Sequence, residues 1–178
     1  YTYQLDGVKF LSSHENCLLA DDMGLGKTLQ SLMAIEEGGR AIVICPATLK
    51  LNWANEVRKW RSDLTPVVCK GRKGFTLPQA NEVVIINYDI LPTEMTPTSQ
   101  WGDDSENVPQ AWRDVLAQTT LIADEAHLCK SHKAMRSKRT KVLSNLCKKS
   151  WAMTGTPLLS KGFDLWGVVS TFGMGRTV

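Results

Sequence analysis

A short apolar run at residues 17–20 breaks into Asp21-Asp22-Met23-Gly24-Leu25-Gly26-Lys27-Thr28, and helical spacing resumes at once through Leu29, Leu32, Met33 and Ile35. Few folds satisfy that order of strand, glycine-rich turn and helix. Gly24 and Gly26 let the backbone bend tightly, so that main-chain N–H groups can close on an anion. A helix that opens at Lys27 aims its unpaired N–H groups and the positive end of its dipole at the same point. The segment is a candidate P-loop, contributed by Asp22, Met23, Gly24, Leu25, Gly26, Lys27 and Thr28. Lys27 would reach the β- and γ-phosphates of a nucleotide, and the Thr28 hydroxyl would meet a bound Mg²⁺. The strict pattern has Gly where this chain has Asp21.

Beyond that turn, short apolar runs alternate with helical patterns, as a parallel sheet built from βαβ units requires. Strands are predicted at residues 17–20, 41–45, 67–69, 83–86, 121–123 and 151–153. Helices are predicted at residues 27–37, 49–60, 134–146 and 164–171, the first closing on Gly38 and Gly39. The expected class is α/β, a P-loop domain with a mainly parallel central sheet flanked by helices. Residues 91–110 contain Pro92, Pro97 and Pro109 among Thr, Ser, Asp and Gly, and read as a surface loop or insertion.

The chain has 178 residues, which is one domain with a sizeable core. Its net charge of +3 is too small to argue for nucleic-acid binding by itself. Five cysteines, odd in number and without a C-x-x-C pair, argue against a zinc site or a disulfide framework. No apolar run reaches membrane-spanning length, and no signal-peptide pattern opens the sequence. The expectation is an intracellular protein without a membrane partner, nuclear in a eukaryote and cytoplasmic or nucleoid-associated otherwise.

A second chemical motif follows the strand at 121–123. Asp124 and Glu125 end that run, and in an open parallel sheet ligands sit at the carboxyl ends of the strands. Both carboxylates therefore fall on the edge that carries Lys27 and Thr28. Asp124 would hold Mg²⁺, Glu125 would act as general base on the attacking water, and His127 would report on the γ-phosphate region.

These segments resemble the Swi/Snf-type ATPases among the superfamily-two helicases, whose first lobe is RecA-like. Residues 21–30 are similar to that family's motif I, which favours an acidic residue at the position of Asp21. Tyr3-Gln4-Leu5-Asp6-Gly7-Val8 resembles its Q motif, in which Gln4 would bond the adenine. Cys45-Pro46-Ala47-Thr48-Leu49 with Asn52-Trp53 resembles motif Ia, and Asn87-Tyr88 stands where motif Ib is expected. Asp124 to His127 matches motif II, a DEAH box. Met153-Thr154-Gly155-Thr156-Pro157 matches motif III, and Asp164-Leu165-Trp166 also fits. Ser131 departs from the Asn that the pattern would have there.

The resemblance implies an ATP-dependent translocase on double-stranded DNA, with ATP and Mg²⁺ as cofactors. Thr154, Gly155 and Thr156 would couple the nucleotide cleft to the DNA track. The family's motor uses a second RecA-like lobe carrying an arginine finger. Residues 1–178 are therefore expected to be the first lobe of something longer, hydrolysing ATP slowly or not at all by itself. Motif III as Thr-Gly-Thr, rather than Ser-Ala-Thr, weighs against an RNA helicase of the DEAD or DEAH type. The catalytic set weighs against a lobe kept only as a scaffold.

Contacts to DNA would come from Thr48, Leu49, Lys50 and Asn52 at the opening of the 49–60 helix. Lys130, Lys133, Arg136, Lys138, Arg139 and Lys141 make a second basic stretch, either a solvated face or a phosphate-binding surface. Trp53 and Trp60 lie seven residues apart and are expected to anchor the helix in the core.

Overall fold

The computed structural model describes residues 1–97, 107–155 and 162–174. Six strands form one sheet: β1 (Asn16–Leu19), β2 (Arg40–Cys45), β3 (Thr65–Val68), β4 (Glu82–Asn87), β5 (Thr119–Ala123) and β6 (Lys149–Met153). Their order across the sheet is β1-β6-β5-β2-β4-β3, and every neighbouring pair is parallel. All six predicted strands are present, each within two residues of its expected bounds. The central strands are apolar without a break because both faces are covered.

Side-chain alternation divides the core into two layers. Ala41, Val43, Ile85, Ile122 and Trp151 point to one face, where α1 (Thr2–Ser13), α2 (Lys27–Ala34) and α3 (Lys50–Trp60) add Leu11, Leu32, Trp53 and Val57. Ile42, Ile44, Val84, Ile86 and Leu121 point to the other face. There α4 (Gln110–Leu116), α5 (Met135–Leu146) and α6 (Gly162–Thr171) contribute Leu116, Val142, Leu143 and Val168. Each large side chain buried this way stabilises the fold by about 1.5–3 kcal/mol. None of the described helices is long and apolar enough to cross a membrane.

Strand register aligns the ends of the sheet. Leu19 pairs with Met153, Ala152 with Ala123, and Ala123 with Ile44. The carboxyl ends of β1, β6, β5 and β2 are therefore flush along one edge. Four functional segments leave the sheet there: 20–26, 154–155, 124–127 and 46–49.

Several elements differ from expectation. Helix α1 carries the Q-motif residues, yet its sequence gives no clean stripe. Leu11 is its one buried residue, and Gly7 interrupts its middle. Helix α2 ends at Ala34 rather than at residue 37, because Ile35 turns to extended geometry and enters the core. The opening of the predicted 49–60 helix is a separate 3-10 turn, Ala47–Leu49, that leads into α3.

The reading of 91–110 as a surface loop needs correction over its described ends. Leu91, Met95 and Val108 are buried in the second core layer. Arg139 fastens the first of these stretches by donating to the Leu91 carbonyl at 3.1 Å and to Thr96 Oγ1 at 2.9 Å. Prolines suggested a loop; the apolar residues between them decide the packing.

Trp60 is a further correction. Trp53 is buried as expected, but Trp60 is 43% exposed, with its indole bonded to Glu56. Helix α3 stops there, and Arg61 takes the inward position. Its guanidinium donates to the carbonyls of Leu32 (2.6 Å) and Ile35 (2.9 Å) and forks onto Asp63. It thereby caps the carboxyl end of α2, where a positive charge is favoured. The same fork holds the Asp63 carboxyl below the usual carboxylate range.

All five cysteines are free. Burial pushes the thiols of Cys17 and Cys45 up to about 12 and that of Cys129 to about 11, so all three stay protonated and inert.

Burying a guanidinium costs several kcal/mol, which the four hydrogen bonds of Arg61 offset. Truncation to Ala removes them; Leu32 O keeps its bond from the Ile35 N–H, but the Ile35 carbonyl loses the guanidinium. Arg61→Ala is expected to lower the unfolding free energy by about 2–3 kcal/mol, read as a lower urea midpoint. An unchanged midpoint would show that the cap contributes nothing.

Candidate functional site

The loop between β1 and α2 has the geometry its glycines suggested. Gly24 has φ +84° and Gly26 φ +78°, in the left-handed region that other residues occupy at a cost. No side chain caps α2 at Gly26. The first-turn N–H groups are therefore left without a side-chain cap, the arrangement in which helix N-termini can receive an anion. Lys27 Nζ donates to the carbonyls of Asp21 (2.6 Å) and Asp22 (2.9 Å), which closes the loop on itself.

The loop is braced from two sides. Gln30, fully buried in α2, donates to Leu25 O at 3.1 Å and to Asp21 Oδ2 at 3.4 Å. Gln4 of α1 donates to the same Leu25 carbonyl at 3.4 Å. A Cβ on Gly26 would stand 2.5 Å from the Gln4 amide nitrogen, so the contact is tight. A cavity of about 470 Å³ opens beside this bracing, lined by Tyr3, Gly7 and Phe10 of α1 and by Leu19, Asp21 and Leu25. Gln4 is not part of that lining. The bracing role of Gln30 is not evident from the sequence pattern, although its place three residues after Lys27, on the buried side of α2, is a signal.

Asp124 follows β5 two strands away from β1, about 10 Å across the sheet at the usual strand spacing. Four hydrogen bonds fix it. Its N–H reaches Ile44 O at 2.8 Å, and its carbonyl accepts from the Tyr88 hydroxyl at 2.8 Å. Oδ1 accepts from the Glu125 N–H at 3.0 Å, and Oδ2 from Trp53 Nε1 at 2.9 Å. Burial raises the Tyr88 phenol well above its ordinary range, so it remains a donor. Motif spacing places Tyr88 and Trp53 in the sequence but reveals neither contact.

Glu125 faces elsewhere. Its backbone is left-handed at φ +52°, which costs a non-glycine residue about 1–2 kcal/mol. The 3-10 turn Ala126–Cys129 follows, with Leu128 N donating back to Glu125 O at 2.9 Å. The bend turns the two adjacent carboxylates onto different partners. Glu125 Oε2 lies 3.1 Å from His127 Nδ1, and the same nitrogen lies 3.2 Å from Thr154 Oγ1. Nδ1 thus stands between the Glu125 carboxylate and the Thr154 hydroxyl, and its role toward Thr154 follows the imidazole tautomer.

Motif III meets the loop directly. Thr154 N donates to Leu19 O at 3.2 Å. A Cβ on Gly155 would lie 2.6 Å from Met23 Cγ and 3.6 Å from Lys27 Nζ. Gly155 is thus packed on the loop between β1 and α2, where a side chain would push into it. Thr156 lies outside the described residues.

The candidate DNA-contact residues are less uniform. Thr48 and Asn52 are exposed, and Leu49 is half-buried at the start of α3. Lys50 is turned away from them, because its ammonium donates to Cys69 O at 2.9 Å. In the second basic stretch, Lys130, Lys133, Arg136 and Lys141 are exposed, while Arg139 is committed to the 91–96 segment. Among the described residues no three His, Cys, Asp or Glu side chains cluster as a self-contained metal site. Thr28 and Asp124 remain the candidates for a metal shared with phosphates.

Comparison with known proteins agrees with this layout. A family model described as the SNF2-related domain matches residues 3–176. The chain is 29% identical to protein CHROMATIN REMODELING 19 of Arabidopsis thaliana over 94% of its length, covering 24% of that protein. It is 31% identical to the ISWI chromatin-remodeling complex ATPase ISW1 of Saccharomyces cerevisiae over 94% of its length, covering 15% of that protein. The SWI2/SNF2 ATPase core of Sulfolobus solfataricus in complex with dsDNA superposes with a TM-score of 0.70 at 26% identity. That match takes in 97% of this chain and 35% of the other. The chain thus spans a quarter or less of these curated relatives.

Gly26→Ala tests the loop geometry. The new Cβ meets the Gln4 amide and takes a left-handed backbone that costs Ala about 1–2 kcal/mol. The expected result is a loss of stability of at least that size, with faster amide exchange in α1. Wild-type stability and exchange would contradict the tight contact.

Proposed function

The chain belongs to the SNF2-related domain family, and from that premise we propose that it is the ATP-binding first lobe of a DNA translocase. The family uses nucleotide; the specific reading is ATP with Mg²⁺, moving along double-stranded DNA together with a second RecA-like lobe. One observation carries it. A single sheet edge gathers the Lys27 loop, the Asp124–Glu125 pair and Thr154–Gly155; His127 links Glu125 to Thr154, and Gly155 packs on Met23 of the loop.

The residues divide the work. Gly24, Leu25, Gly26 and the α2 amides cradle the phosphates, with Asp22 and Met23 at the loop's approach. Lys27 leaves the Asp21 and Asp22 carbonyls for the β- and γ-phosphate oxygens. Gln4 orients the base beside the cavity under α1. Thr28 and Asp124 hold the metal. This donor set fits Mg²⁺, which is usually held by one or two protein oxygens plus phosphates and water. When bound, Mg²⁺ supplies positive charge to the phosphates. Glu125 of the DEAH box accepts the proton of the attacking water. His127 senses the occupancy of the γ-phosphate region and passes it through Thr154 toward Gly155 and Thr156. Such chemistry depends on positioning and charge.

Thr48, Leu49 and Asn52 supply the phosphate contact to DNA at the start of α3. Lys50 takes that role only by releasing Cys69 O. In a eukaryotic cell this activity belongs in the nucleus.

Binding of a fluorescent ATP analogue with Mg²⁺ to this chain and to Lys27→Ala tests the assignment. Removing the ammonium from the phosphate loop is expected to weaken binding at least 10-fold, which is about 1.4 kcal/mol. Equal binding by the variant would overturn the phosphate-loop reading.

A further inference from the structure

The two carboxylates after β5 are wired to different parts of the molecule. Glu125 reaches Thr154 through His127. Asp124 reaches α3 through Trp53 Nε1, 2.9 Å from Oδ2. Trp53 is 1% exposed, so its indole N–H has no access to solvent and needs a protein partner. An indole can only donate, and the partner here is a carboxylate that sits at the candidate metal position. A bond to an ionised acceptor is about twice as strong as a neutral one.

We propose that Trp53 is a positioning residue: its indole N–H sets the orientation of the Asp124 carboxylate and ties it to the surface at Thr48 and Asn52. The geometry is specific. Oδ1 is held by the Glu125 N–H and Oδ2 by Trp53, so the carboxylate plane is gripped from both oxygens. The backbone of Asp124 is fixed separately by Ile44 O and the Tyr88 hydroxyl. With the backbone fixed, the rotamer is the remaining freedom, and Trp53 removes it. Trp53 stands in the first turn of α3, one residue after the exposed Asn52. A phosphate bound at Thr48 and Asn52 would bear on the same helical turn that holds Asp124. This role rests on the reading of the site as an Mg²⁺–ATP site.

Two measurements on this chain test it. The first uses indole-¹⁵N tryptophan labelling without nucleotide. The chain has six tryptophans, and single Trp→Phe variants assign their resonances. In Asp124→Ala the Trp53 indole proton is expected to move upfield as its charged acceptor is lost, while Trp60 Nε1, bonded to Glu56, stays in place. An unmoved Trp53 resonance overturns the contact.

The second follows nucleotide binding as a function of Mg²⁺ concentration. Trp53→Phe is expected to raise the half-saturating Mg²⁺ concentration about 10–100-fold, the usual effect of losing a group that orients a metal ligand. Nucleotide binding in EDTA should not change. In the Asp124→Ala background, Trp53→Phe should add no further loss. An unchanged Mg²⁺ requirement in Trp53→Phe, or an additive loss in the double variant, overturns the role. Should Trp53→Phe fail to fold, Trp53 remains native in the Asp124→Ala labelling arm, and an unmoved indole resonance there still overturns the proposal. A wild-type chain with no Mg²⁺-dependent binding would remove the nucleotide reading and this role with it. A shifted indole in that case would mark the failure as one of function rather than of contact.

Discussion

Everything at the candidate site depends on one constraint, the parallel register of β1, β6, β5 and β2. Parallel strands deliver their carboxyl ends to the same edge, and pairing Leu19 with Met153 and Ala123 with both Ala152 and Ile44 makes those ends flush. A slip of one residue in any of them would send every side chain to the opposite core layer and spoil the packing of both, so the fit of the two layers enforces the register. The energy that fixes the site is therefore mostly the burial of Ile42, Ile44, Val84, Ile122 and Trp151. Polar contacts at the edge then select among the orientations that this frame permits.

The edge is organised as two networks that share a strand end. One runs from the loop through Gly155 and Thr154 to His127 and Glu125. The other runs from the Tyr88 hydroxyl and the Trp53 indole to Asp124. The left-handed backbone at Glu125 separates them, turning adjacent carboxylates to different partners at a local cost of about 1–2 kcal/mol. Strain of that size persists only where surrounding structure over-determines it, and here the following 3-10 turn and the His127 contact do so.

Much of this was legible in the sequence because it is local. Six apolar runs gave six strands, and the spacing from Gly24 to Thr28 gave a loop that opens a helix. The carboxylates after residue 123 fell where a parallel sheet puts them. What the sequence hid was non-local. Helix α1 buries one residue, so its amphipathic signal is weak, and its place is set by Gln4 and Gln30 meeting at Leu25 O. Helix α2 stops early as Ile35 turns into the core, and Arg61, from a distant turn, caps the carbonyls there. Prolines around 91–97 announced a loop, while Leu91 and Met95 packed inward under Arg139. Trp53 looked like a plain core residue; only the fold shows that its N–H ends on Asp124. Spacing said the same of Trp60, and the end of the helix overruled it.

The central claim is that one sheet edge forms a single nucleotide site. Hydrogen exchange across the whole chain, with and without a non-hydrolysable ATP analogue and Mg²⁺, tests it most directly. The account predicts that amides at 22–28, 124–128 and 154–155 gain protection together, while β3 and α4 at the periphery do not change. Protection confined to one of those three segments, or appearing at β3 or α4 instead, would contradict it.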